Sequence, residues 1–145
     1  MNAVDVSVEI QIQASPAEIA AVMFDPEREP DWMSVVTGVQ LHDRALAPGA
    51  RVTHRGSVLG HEAAWTTEVD AVHFPHVLAL RVVDGPFDGT LRFEIQRVAL
   101  GSRVRVRGAG TAAALAGLPA ALVEGPVRAA LSADLARLKG IVEGN

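Results

Sequence analysis

Val4, Val6, Val8, Ile10 and Ile12 alternate with Asp5, Ser7, Glu9 and Gln11 near the start of the chain. Successive side chains of a strand point to opposite faces, so this period of two predicts a half-buried strand with one wet side. The same period returns in six segments between residues 35 and 110. They are separated by turn signals at LAPG (46–49), LG (59–60), FP (74–75), DG (84–85) and ALG (99–101).

Residues directly opposite one another in an antiparallel sheet share a face, so one inward set must persist through every hairpin. The apolar sets are Val39 and Leu41; Val52, His54, Gly56 and Val58; Trp65, Thr67, Val69 and Ala71; Leu78, Leu80 and Val82; Phe87, Gly89, Leu91, Phe93 and Ile95; Val104, Val106 and Gly108. Their numbering alternates between odd and even from strand to strand, as hairpins with even loops require. The complementary face is polar. Two-residue loops place Glu68 opposite both Arg51 and Arg81, Arg81 opposite Asp88, and His54 opposite Trp65; Glu94 falls opposite Arg105. The RVRVR run at 103–107 therefore reads as a solvated outer face with carboxylates interleaved. With a net charge of −4, nucleic acid is not an expected partner.

Two helical regions flank the remaining strands. Ser15, Pro16 and Glu18 form a capping-box pattern, predicting a helix from Pro16 to about Phe24 that must stop before Pro26. The polar stretch DPEREPDWMS (25–34) then carries one large ring, Trp32. It is read as a second short helix folding against one end of the sheet, a hinge-like lid candidate with its charges outside and the indole inside. From Leu118 to Glu143, Val127, Leu131, Leu135, Leu138 and Val142 recur at helical spacing, predicting a long amphipathic helix that Gly125-Pro126 kinks or opens.

A chain of 145 residues is expected to form one domain, 1–145, and to bury about two thirds of its unfolded surface. It contains no cysteine, which excludes disulfides and thiolate chemistry. The opening MNAVDVSVEI lacks a signal-peptide pattern, and the long weakly charged stretch at 108–123 is too short to span a bilayer. A cytoplasmic protein without a membrane anchor is expected, as monomer or homodimer. Twelve of the 13 basic residues are arginine, a bias of GC-rich bacterial genomes that carries no function.

The inner face of the sheet needs a cover, and only the C-terminal helix is long and apolar enough. This gives an α+β architecture: a curved seven-stranded antiparallel sheet wrapped around a long C-terminal helix, with two short helices between strands 1 and 2. Gly56, Ala63, Gly89, Gly108 and Ala130 remove side-chain volume between the layers. Unfilled apolar volume is costly, so an interior that stays open usually holds a ligand.

The order of strand, short helix, Asp-Pro…Pro-x-Trp segment, six-stranded meander and final helix ending LARLKGIVE resembles the SRPBCC or START-like helix-grip superfamily, in particular its polyketide cyclase/dehydrase branch. The likeness covers essentially the whole chain. It implies a pocket between sheet and helix for lipids, steroids, quinones or polyketides, with catalysis in only some members. Cyclases of this kind commonly place arginine, tyrosine and carboxylates in that pocket. This chain has no tyrosine, and its inward set holds no arginine, lysine or carboxylate.

Candidate ligand-binding residues are His54, Trp65, Thr67, Val69 and Leu80, together with Phe87, Leu91, Phe93, Val106 and Trp32. His54 is the one ionisable side chain of the inward set and the candidate catalytic residue. A buried imidazole needs a partner, and Thr67 is the expected one. Three roles remain open to it: a satisfied core histidine, a hydrogen-bonding group for a ligand, or an acid–base catalyst. The last requires an orienting group, which the inward set does not supply. His42, His61, His73 and His76 read as solvated turn or outer-face residues, so no metal and no cofactor is expected. Three functions follow in order of preference: a binding module for an apolar small molecule, a cyclase, dehydratase or isomerase acting on a polyketide-like or steroid-like substrate, and a protein-interaction domain with a vestigial cavity.

Overall fold

The computed structural model describes residues 3–58, 60–112 and 120–144. Seven strands form a single antiparallel sheet: β1 (Val4–Ile12), β2 (Val36–Leu41), β3 (Arg51–Val58), β4 (His61–His73), β5 (Val77–Asp84), β6 (Phe87–Val98) and β7 (Gly101–Ala112). Their spatial order is β1-β7-β6-β5-β4-β3-β2. The chain thus leaves one edge of the sheet after β1 and re-enters at the opposite edge with β2. The crossing carries α1 (Pro16–Met23), a 3-10 turn (Pro26–Arg28) and α2 (Glu29–Trp32). A last helix, α3 (Ala120–Val142), packs against β1, α1 and α2, completing a helix-grip fold. Its expected start at Leu118 lies outside the described residues. No described helix is long and apolar enough to cross a membrane.

Local chemistry explains the boundaries. Ser15 caps α1 by accepting from the Glu18 amide at 3.2 Å, while the Glu18 carboxylate accepts from the Ser15 amide at 3.3 Å. Asp25 caps the 3-10 turn through the Glu27 amide at 3.0 Å. Pro126 lies within α3 rather than opening it.

The outer face is laced with charge pairs. Glu68 faces Arg51 and Arg81 as expected and pairs with both, and Arg81 also reaches Asp70 at 2.9 Å. Arg107 bonds Asp5 at 2.6 Å and holds that carboxyl below its usual range, hydrogen bonding being the main cause. Arg105 lies between Glu9 at 3.5 Å and Glu94 at 4.0 Å.

Several details of the sheet depart from the sequence expectation. Arg81 faces Thr90 and Asp88 faces Thr111, because the β5–β6 turn falls at Gly85 and Pro86, one position later than the DG signal. A bulge at Asp70 pairs Val69 with Leu80 but Ala71 with Ala79, so Val72, opposite Leu78, takes the inward place expected of Ala71. Gly56 and Gly89 do not open the interior. A Cβ on Gly56 would lie 1.6 Å from the Val35 carbonyl oxygen and one on Gly89 would lie 2.5 Å from that of Ala109, so these glycines serve close backbone approach.

Candidate functional site

The crossing segment brings two side chains to the inner face. Glu29 and Trp32 stand three positions apart on α2 and so share a side, whereas Arg28 and Asp31 pair outside at 2.8 Å. Trp32 is 2% exposed and meets Phe93 edge-on at 5.6 Å. Phe93 in turn stacks with Phe24, the C-cap of α1, at 6.4 Å. The indole therefore closes the core beneath α1 and α2, as its placement in the sequence predicted. The charges do not all stay outside, because Glu29 turns inward.

His54 on β3 is the group Glu29 meets. Its Nδ1 lies 2.9 Å from the Glu29 Oε1, with the carboxylate side chain only 13% exposed. The approach is close but poorly aligned, and Nδ1 makes no hydrogen bond among the described residues. On the other side Nε2 pairs with the Thr67 hydroxyl at 2.9 Å. The ring lies flat against Trp65, its opposite neighbour on β4, at a centroid distance of 5.5 Å and an interplanar angle of 12°. A carboxylate only accepts, so a proton on Nδ1 suits Glu29 and leaves Nε2 to accept from the Thr67 O–H.

The expected Thr67 partner is thus present, and the expected absence of an inward orienting group is corrected. Glu29 comes from outside the sheet and was invisible to an argument built on strand parity. One helical signal could have found it: Glu29 stands one turn before the apolar Trp32.

Burial follows a gradient along the inner face. Toward one end, Val69, Leu78, Leu80, Phe93, Ile95, Val104, Val106, Leu135 and Leu138 are all buried. Toward the other, Val4, Ala63, Val82, Phe87, Leu91, Gly108, Val127 and Leu131 are only half-buried. These eight positions come from β1, β4, β5, β6, β7 and α3 and lie toward a common end of the inner face. Phe87 lies 5.6 Å from Trp65 and connects this end to the His54 stack. Of the expected ligand-contacting residues, Val69, Leu80, Phe93 and Val106 lie in the closed part, while Phe87 and Leu91 lie at the accessible end.

The other histidines stand apart from this cluster. His42, His61, His73 and His76 are exposed; His42 bonds Thr53 at 2.7 Å on the outer face, and the His76 ring meets the Ile95 carbonyl at 2.8 Å. The described residues contain no group of three His, Cys, Asp or Glu placed to hold a metal. An open groove bounded by Gln13, Ser15, Arg97, Leu100 and Gly101 lies at the β6–β7 turn, on the surface.

A family model described as polyketide cyclase / dehydrase and lipid transport matches residues 3–143. Among solved structures, a START superfamily protein from Mycobacterium smegmatis superposes with a TM-score of 0.83 at 19% identity, over 96% of this chain and 97% of that one. The protein TTHA0849 from Thermus thermophilus gives 0.80 at 19% identity, over 95% and 96%. The Zhui aromatase/cyclase from Streptomyces sp. R1128 gives 0.77 at 16% identity, over 97% and 94%. At these identities the likeness establishes the fold. Comparison with curated proteins gives no significant match.

Proposed function

The chain belongs to the polyketide cyclase / dehydrase and lipid transport family, and on that premise we propose that it binds a hydrophobic small molecule between the inner face of the sheet and α3. The observation that carries this reading is the burial gradient: apolar side chains from five elements, with Gly108 among them on β7, remain only half-buried toward one end of the core. A core with no occupant would lose stability by leaving them so, whereas a ligand would complete their burial. Trp65, Phe87 and Leu91 supply its apolar walls, and His54, Thr67 and Glu29 its polar anchor. Native mass spectrometry of the purified protein before and after organic extraction tests the idea. A bound small molecule removed by extraction is expected. An interior that takes up none of a panel of neutral apolar compounds would favour a protein-interaction domain with a self-filled cavity.

A second reading is favoured by the Glu29–His54 contact. An imidazole beside a carboxylate can move protons on a substrate with an enolisable carbonyl, as a cyclase, dehydratase or isomerase requires. Both ring nitrogens face a neighbour, so Thr67 would have to yield its place to the substrate. For this reading His54→Ala should abolish turnover while leaving the fold intact, and unchanged turnover would remove His54 from the mechanism.

A further inference from the structure

We propose that the interior site selects uncharged ring compounds bearing a hydroxyl donor and rejects anionic amphiphiles, with Glu29 as the residue that reads the donor. This rests on the cavity reading above.

The first support is where the basic side chains lie. Of the 13 basic residues, Arg28 and Lys139 are half-exposed and the other eleven are exposed. Arg28 is paired with Asp31, and Lys139 with Glu143 and the Gln11 carbonyl. The segment 113–119 contains no ionisable side chain. The inner face therefore has no arginine or lysine to answer a ligand carboxylate, sulfate or phosphate. A buried anion without a partner is strongly disfavoured.

The second support is the acceptor that the interior does have. The one described contact of the Glu29 carboxylate is with His54 through Oε1, which leaves Oε2 able to accept from a ligand hydroxyl. The same carboxylate repels a second negative charge, the more so in a low-dielectric setting. One helical turn away, the Trp32 Nε1–H is buried and has no partner among the described residues. It is a donor suited to a carbonyl or ether oxygen elsewhere on the same ligand. The third support is shape. His54 stacks on Trp65, and Phe87 meets the indole at a tilt of 52°, so three adjoining rings offer contact to a flat aromatic or fused-ring ligand.

Three probes share one bicyclic ring: naphthol, methoxynaphthalene and naphthoate, carrying a hydroxyl, a methyl ether and a carboxylate. Equilibrium dialysis or calorimetry near neutral pH should show naphthol binding about tenfold more tightly than methoxynaphthalene, with naphthoate weakest. Glu29→Gln removes the charge at nearly constant shape. Its urea midpoint and circular dichroism would confirm folding, and the preference for naphthol over naphthoate should shrink by about tenfold. Naphthoate binding as tightly as naphthol, methoxynaphthalene matching naphthol, or an unchanged preference in Glu29→Gln would each overturn the inference and leave the cavity reading standing. Binding of none of the three would overturn both.

Discussion

His54 is held from two sides by groups of different origin, and that difference governs what each contributes. The Thr67 hydroxyl sits on the neighbouring strand in a diagonal fixed by the β3–β4 register, with Val52 opposite Thr67 and His54 opposite Trp65. That register was legible, because alternation and a two-residue turn leave one way to pair these strands. The Glu29 carboxylate arrives on a four-residue helix whose path over the sheet depends on packing, which no local period encodes. Thr67→Val keeps the shape and removes the hydroxyl, leaving Nε2 of a 2% exposed imidazole without its partner. A loss of about 1–3 kcal/mol in urea unfolding is expected. Thr53→Val, which removes a hydroxyl bonded to Thr66 at 2.9 Å and to exposed His42 at 2.7 Å on the wetter outer face where water can replace it, should cost at most about 0.5 kcal/mol.

At the level of elements, α2 is clamped between the sheet and α3. Asp134 of α3 is 2% exposed, accepts from the Ser34 amide at 3.1 Å and pairs with Arg137 at 3.1 Å. The same Arg137 nitrogen donates to the Trp32 carbonyl at 2.7 Å. Both ends of the Trp32-Met33-Ser34 turn are thus fastened to α3, so the segment read from sequence as a lid candidate is anchored through its backbone. The helical spacing of α3 was plain in the sequence, but nothing in that spacing singles out Asp134. Only the passage of the crossing segment against α3 gives it a partner. Asp134→Ala strands the Ser34 amide and frees the arginine, at a cost of about 1–3 kcal/mol. Hydrogen exchange at Ser34 and Met33 should accelerate more than exchange in the β6–β7 ladder. Equal acceleration everywhere would mean that Asp134 supports the whole fold rather than this clamp.

Across the whole molecule the choice is between a core that is open by design and one that its own side chains fill. Strand parity located the inner face but could not measure the volume behind it. Two of the glycines expected to thin that face instead admit neighbouring backbone. Gly108 is different. A Cβ there would meet only the Leu91 and Leu131 side chains, at 3.7 and 3.9 Å, both ordinary contacts at the accessible end of the core. Gly108→Ala should therefore stabilise the protein by about 0.4–1 kcal/mol, since alanine narrows the unfolded ensemble without a clash. Gly108→Leu separates the alternatives. In a packed core the added carbons would force neighbours aside at a cost of about 1–3 kcal/mol. In an open one they enter vacant space between β7 and α3, so the thermal midpoint should hold while ligand uptake falls sharply. A midpoint that drops in Gly108→Leu with no ligand bound by the parent protein would place this chain among domains whose interior no longer receives anything.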